Sequence, residues 1–242
     1  MINNKAKKSL LIVLVGLIVL SFTTGVVLSA SASNGTGDKK KYKSHRPQKH
    51  VVVVHHDGPA NHPYYGRTVT VLPPGHTVVT VRGRKYYYHN GFYYYPGQSG
   101  YYAIGGPHGA RVTVLPPDHR KIYLHNKVYY YYYGTYYYYD PIQRVYLVVE
   151  PPEGADLPEL PEGYETYRYG ADTYYHCNGA YYRFDPYRKI YLAVKPPEGF
   201  IINSLPFGFE TVITGGQKRF LYMGIHYAPF TQNGVTVYKV VR

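Results

Sequence analysis

Val128 to Pro141 reads VYYYYYGTYYYYDP: two runs of tyrosine flank a single glycine. Tyrosine suits a pleated, half-buried surface, and glycine accepts the positive φ that a tight turn requires. The stretch therefore predicts a β-hairpin turning at Gly134. Equivalent glycines stand at Gly91, Gly179 and Gly224, each 19 residues after the Leu of a Leu-Pro pair. Those pairs are Leu72-Pro73, Leu115-Pro116, Leu160-Pro161 and Leu205-Pro206, at steps of 43, 45 and 45 residues. Two landmarks held at one offset over four occurrences identify an internal repeat. A third landmark closes the first three copies: Gly106-Pro107-His108-Gly109, Pro151-Pro152-Glu153-Gly154 and Pro196-Pro197-Glu198-Gly199.

The copies span residues 67–109, 110–154, 155–199 and 200–242. Within the first, Thr68 to Leu72, Thr77 to Val81, Arg84 to His89, Phe92 to Tyr95 and Tyr101 to Ile104 read as short strands. Pro73-Pro74-Gly75, Arg82-Gly83, Asn90-Gly91 and Pro96-Gly97 separate them as turns. No helical period occurs beyond the N-terminal segment. The predicted fold class is all-β, with four tandem copies of short antiparallel strands forming SH3-like small barrels or meanders. A unit of about 45 residues without a disulfide is too small to bury a sufficient core alone, so neighbouring copies must share their packing. A row of copies fits, with the Pro-Pro-x-Gly joints as spacers. A four-bladed radial arrangement is the alternative.

The N-terminal segment sets the expected compartment. Lys5, Lys7 and Lys8 precede an apolar run from Ser9 to Leu20, and Ala30-Ser31-Ala32 fits a small-x-small cleavage site. Residues 1–32 read as a signal peptide, with an uncleaved membrane anchor as the second reading. Either places the remainder outside the cytoplasm, in the periplasm or at the cell surface. Residues 33–66 form a His- and Lys-rich linker. Its cations Lys39, Lys40, Lys41, Lys43, Arg46 and Lys49 are candidates for electrostatic contact with an anionic envelope polymer. His55, His56, Asp57 and His62 show no compact metal-ligand spacing, so neither metal nor cofactor is expected.

The formal net charge is +13, and 34 residues are tyrosine, with no tryptophan and 8 phenylalanines. Outside the linker the cations are dispersed over many turns. That is not the concentrated stripe of a nucleic-acid binder, and no nucleic-acid partner is expected. One cysteine, Cys177, precludes an internal disulfide. Comparing copies separates two tyrosine faces. Tyr87, Tyr130, Tyr175 and Phe220 align four before the turn glycine, and Tyr94, Tyr137, Tyr182 and Tyr227 three after it. Phe220 dispenses with the hydroxyl, so this face reads as core. On the other face Tyr86, Tyr129 and Tyr174 align with Arg219, and Tyr93, Tyr136 and Tyr181 with His226. The polar residues of copy four suggest a partly exposed ladder. Its six tyrosines are candidates for stacking on sugar rings or for self-association.

Motifs for catalysis are missing: no Gly-x-Ser-x-Gly, no His-Glu-x-x-His and no phosphate loop before a helix. His176 and Cys177 are neighbours on a strand, so their side chains diverge. Asp140-Pro141 and Asp185-Pro186 are matched turn signals.

The pieces Leu72-Pro73-Pro74-Gly75-His76, Tyr86 to Tyr95 and Tyr146 to Gly154 resemble a family of uncharacterised, tyrosine-rich exported bacterial proteins. The resemblance covers about residues 67–242 and implies an envelope setting, with no activity or functional residue to carry over. Copy two departs from it at Asp118, and copy four keeps only Phe220 and Tyr222 where tyrosine runs stand elsewhere. The expectation is a non-catalytic exported envelope protein that binds or scaffolds cell-surface polysaccharide and meets the membrane only through its N-terminal segment. A self-assembling structural protein is the second reading, and a glycan-processing enzyme using Asp140 or Asp185 the third.

Overall fold

Alternating tyrosines and valines between glycine turns favour extended chain, and the computed structural model describes residues 53–55 and 67–242 as β-strands and turns throughout. The signal and, apart from residues 53–55, the linker with its six candidate cations lie outside the described residues. Copy one comprises β2 Thr68–Val69, β3 Thr77–Val81, β4 Arg84–His89, β5 Phe92–Gly97 and β6 Gly100–Ile104. Copy two comprises β7 Arg111–Val112, β8 Arg120–Leu124, β9 Lys127–Tyr132, β10 Thr135–Asp140 and β11 Val145–Val149. Copy three comprises β12 Asp156–Leu157, β13 Glu165–Tyr169, β14 Asp172–Cys177, β15 Ala180–Asp185 and β16 Ile190–Val194. Copy four comprises β17 Ile201–Ile202, β18 Glu210–Thr214, β19 Gln217–Tyr222, β20 Ile225–Gln232 and β21 Val235–Val241.

Each copy makes its own antiparallel sheet. Four strands form a meander, and the short leading strand returns beside the last, giving β2-β6-β5-β4-β3 and its three equivalents. The sheets are open meanders, not closed barrels. One strand, β1 Val53–His55, adds to the edge of the third sheet, with Val53 opposite Tyr167 and His55 opposite Glu165. In copy one the turn expected at Pro96-Gly97 falls at Gln98 and Ser99, because Gly97 still pairs with Gly100.

The expected hairpin glycines hold their turns in all four copies. Gly91, Gly134, Gly179 and Gly224 have φ between 72° and 85°, each after a residue that is also left-handed: Asn90, Tyr133, Asn178 and Met223. Two consecutive positive φ values are the type I′ geometry that matches strand twist. Asparagine accepts it readily, whereas Tyr133 and Met223 are held there by their surroundings.

The Pro-Pro-x-Gly joints are docked segments and not spacers. Gly109, Gly154 and Gly199 donate their N–H groups to Val148, Ala193 and Val240 of the following sheet at 2.8–2.9 Å. Those three residues in turn donate to Ala110, Ala155 and Phe200, all at 2.8 Å.

Nor do the copies form a simple row in which each meets only its chain neighbours. Arg84 Nη1 donates to the Phe209 carbonyl at 3.3 Å, Arg82 pairs with Glu210, and Tyr102 stacks on Phe207 with centroids 4.7 Å apart. Copies one and four therefore touch. Gly105 of copy one lies against Asn178 of copy three, and Gly224 of copy four against Glu150 at the end of copy two. One buried cluster draws residues from all four copies, among them Tyr86, Tyr137, Tyr181 and Tyr227. Every described residue falls within one compact unit, 46–242.

The turns sit hard against the next copy. A Cβ added to Gly91 would lie 2.2 Å from the Tyr132 ring, and one added to Gly179 2.2 Å from the Tyr222 ring. At Gly75, also at positive φ, a Cβ meets nothing within 4 Å. Gly179→Ala should therefore cost about 2–4 kcal/mol, combining left-handed strain with overpacking, and Gly75→Ala only about 1–2 kcal/mol. Urea midpoints of the two variants at unchanged m-value check the difference.

Candidate functional site

The copy-to-copy alignment sorts the tyrosines onto two faces as expected, but both faces are covered. Of the six ladder candidates, Tyr86, Tyr93, Tyr136, Tyr174 and Tyr181 are 0–6% exposed, and only Tyr129 is half-buried. The face expected to be the core holds Tyr94, Tyr137, Tyr182 and Tyr227 at 0–2% exposure, with Tyr87, Tyr130, Tyr175 and Phe220 half-buried toward its margin. The ladder is thus no open stacking platform. The physical reason is sheet stacking: the ladder face of one copy lies on the other face of the next. Arg219 and His226 stand at the matching positions of copy four and are themselves half-buried, with His226 Nδ1 buried. Polar substitution in copy four therefore does not mark a solvated face.

Stacking brings tyrosine hydroxyls together at the interfaces. Tyr136 OH donates to Tyr182 OH at 3.1 Å between copies two and three, and Tyr181 and Tyr227 hydroxyls meet at 3.0 Å between copies three and four. Tyr93 and Tyr137 face each other in the same relation between copies one and two. Burial raises the phenols of Tyr136, Tyr137, Tyr181, Tyr182 and Tyr227, and neighbouring phenols push Tyr137, Tyr181 and Tyr182 further, well above their ordinary value, whereas the partner's hydrogen bond lowers Tyr136 and Tyr227 somewhat. At the rim of the first interface burial pushes Tyr88 and Tyr132 up to about 12.

Copy three carries a polar network that no sequence motif announces. Glu165 Oε2 accepts from Tyr167 OH at 2.7 Å and from His176 Nδ1 at 3.0 Å, while His176 Nε2 accepts from the Gly179 N–H at 3.0 Å. These partners assign the proton to Nδ1 and commit both ring nitrogens to holding the hairpin turn. Glu165 and His176 are cross-strand partners of β13 and β14, a pairing visible only once the register is known. Cys177 points to the opposite side, buried in the cluster between copies two and three, where burial raises its thiol. Asp140 and Asp185 each cap their own turn, with Oδ1 accepting two backbone N–H groups at 2.9 and 3.1 Å.

Among the described residues five tyrosine and phenylalanine rings are exposed: Tyr123, Tyr138, Phe184, Tyr187 and Phe207. A cleft of about 470 Å³ lies between copies two and three, lined by Lys127, Tyr129, Tyr138, Glu150, Glu153 and Lys195. Tyr129 and Tyr138 form an edge-to-face pair at 6.4 Å, with Tyr138 39% exposed. Tyr129 is the one ladder candidate that lines this cleft.

The chain matches a family of unknown function (DUF6515) twice, over residues 33–138 and 137–242. It belongs to that family. The boundary between the matches falls inside β10, so one match is not one structural copy. No curated protein and no solved structure matches the chain.

The buried phenols set the alkaline limit of stability. Their folded pKa values lie above the unfolded value near 10, so the folded state holds these protons more tightly. The stabilisation is complete below about pH 10 and is lost as pH rises through the folded values. Thermal midpoints should hold between pH 7 and about 9.5 and fall steeply above about pH 10.5, with a late rise in tyrosinate absorbance coinciding with loss of the near-ultraviolet dichroism. A single tyrosinate phase with unchanged dichroism would contradict the burial. Removing one hydroxyl, in Tyr136→Phe or Tyr182→Phe, should cost about 1–3 kcal/mol because its partner is left unpaired, and the double change should cost less than the sum.

Proposed function

We propose that this protein is a non-catalytic exported protein of the cell envelope that binds surface polysaccharide, and that the cleft around Tyr129 and Tyr138 is the binding site. The observation that carries the reading is the ring pair in that cleft, flanked by two lysines and two glutamates. Aromatic rings offer flat apolar surface to the C–H faces of a sugar, and the charged groups can bond its hydroxyls. Rigid rings on adjacent strands lose little entropy on binding. The N-terminal pattern of lysines, apolar run and small-residue site supports export, and the basic linker supports an envelope rich in anions. The turn carboxylates Asp140 and Asp185 are occupied as turn caps.

Co-sedimentation of the full chain with insoluble envelope polysaccharide, at low and high salt, tests the site. Tyr129→Ala with Tyr138→Ala should weaken binding by about tenfold or more, in proportion to two lost ring contacts. It should do so at high salt as well, where the linker's charges are screened. Binding that survives the double substitution at high salt would overturn the assignment.

A further inference from the structure

Copies two and three end their fourth strands in the same device, which copies one and four lack. β10 and β15 run into Asp140-Pro141-Ile142-Gln143-Arg144 and Asp185-Pro186-Tyr187-Arg188-Lys189. In each, the Asp carboxylate caps the turn through N–H groups two and three residues on, at 2.9 and 3.1 Å. Proline fixes φ just before the apolar residue, and Arg144 and Lys189 close the turns in the left-handed region at φ 55° and 54°. The turns are therefore rigid, and they hold out Ile142 at 91% exposure and Tyr187 at 96%. In copies one and four the same connection is a two-residue turn, at Gln98-Ser99 and Asn233-Gly234.

A large apolar side chain held almost fully in water by a rigid turn gains nothing for the fold. Behind each tip stands an aromatic pair, Tyr139 with Tyr146 at 5.0 Å and Phe184 with Tyr191 at 5.1 Å. Beside the tips stand Arg144, Arg188 and Lys189, all exposed. Arg188 reaches Asp156 only at 3.9 Å, and the two turn aspartates spend an oxygen each on backbone N–H groups.

We propose that each of these two turns is a membrane-contact point for anionic phospholipid, with Ile142 and Tyr187 entering the headgroup and upper acyl region. The order of groups along each tip matches the interface: an aliphatic or aromatic residue outermost, cations beside it for lipid phosphates, and aromatic rings behind at headgroup level. Ile142 decides against a polysaccharide partner, because an isolated convex aliphatic tip has no hydrogen-bonding capacity and no flat ring to stack. These contact points are distinct from the polysaccharide cleft and do not depend on it.

The chain has no tryptophan, so a single introduced indole is an unambiguous reporter. Full-length Ile142→Trp and Tyr187→Trp proteins would be mixed with vesicles of phosphatidylglycerol in phosphatidylcholine, and with phosphatidylcholine alone. Ile213→Trp serves as control, since Ile213 on β18 is also well exposed, at 69%. The N-terminal segment is common to all three variants and cannot create a difference between them. Both tip reporters should shift to the blue and be quenched by lipids brominated near the headgroup, with the control unchanged. Adding Arg144→Ser and Lys189→Ser should weaken the effect on anionic vesicles by about tenfold or more. Unquenched tips, or equal quenching of the control, would overturn the proposal.

Discussion

A buried tyrosine brings a hydroxyl into the core, and that hydroxyl costs free energy unless something receives it. This constraint governs the whole assembly. A sheet whose both faces are tyrosine can be covered on both sides only if the covering sheet also presents hydroxyls, carbonyls or carboxylates at the right height. Neighbouring copies meet the requirement by being the same sheet again. Tyr136 finds Tyr182, and Tyr181 finds Tyr227, because the residue two after one turn faces the residue three after the next. The one-residue offset lets a repeated sequence pair with itself. At these pairs phenylalanine would deprive its partner's hydroxyl of a bond.

The turn glycines serve the same stacking. Their positive φ shapes the hairpin, but their missing side chain is what lets the turn rest on an aromatic ring of the next copy, as Gly91 rests on Tyr132 and Gly179 on Tyr222. The fourth copy keeps the glycine but lays it against the Glu150 carboxylate. The docked joints complete the arrangement by tying each sheet's last strand to the segment that enters it. Local and long-range requirements therefore fall on the same few residues, which is why the repeat is so strict about the 19-residue offset and so tolerant of what lies between.

Much of this was legible in the sequence. The Leu-Pro and glycine landmarks located four sheets and their hairpin turns, and period-two alternation divided the tyrosines correctly between two faces. What alternation cannot say is what lies over a face. Tyr93 and Tyr94 carry the same signal in sequence, and only the stack tells that both are buried. The difference in copy four was visible but misleading, since Arg219 and His226 are half-buried rather than solvated. The Glu165–His176–Gly179 network was not legible because its members are brought together by register across β13 and β14 and by the turn itself. Neither was the addition of β1 to the third sheet, a pairing across more than a hundred residues that short strands do not encode.

Since the packing consumes nearly every tyrosine, abundance of aromatic residues is no measure of binding surface. Among the described residues the tyrosine and phenylalanine rings that face water are Tyr123, Tyr138, Phe184, Tyr187 and Phe207. Tyr187 among them is free to vary in a way the interface tyrosines are not. A change at Tyr136 must be answered at Tyr182, whereas a change at Tyr187 disturbs no partner in the fold. The copies are accordingly uniform at their interfaces and individual at their edges. Differences in what each copy does for the protein must reside in the edges, in the Asp-Pro turns of the middle copies and in the cleft between them.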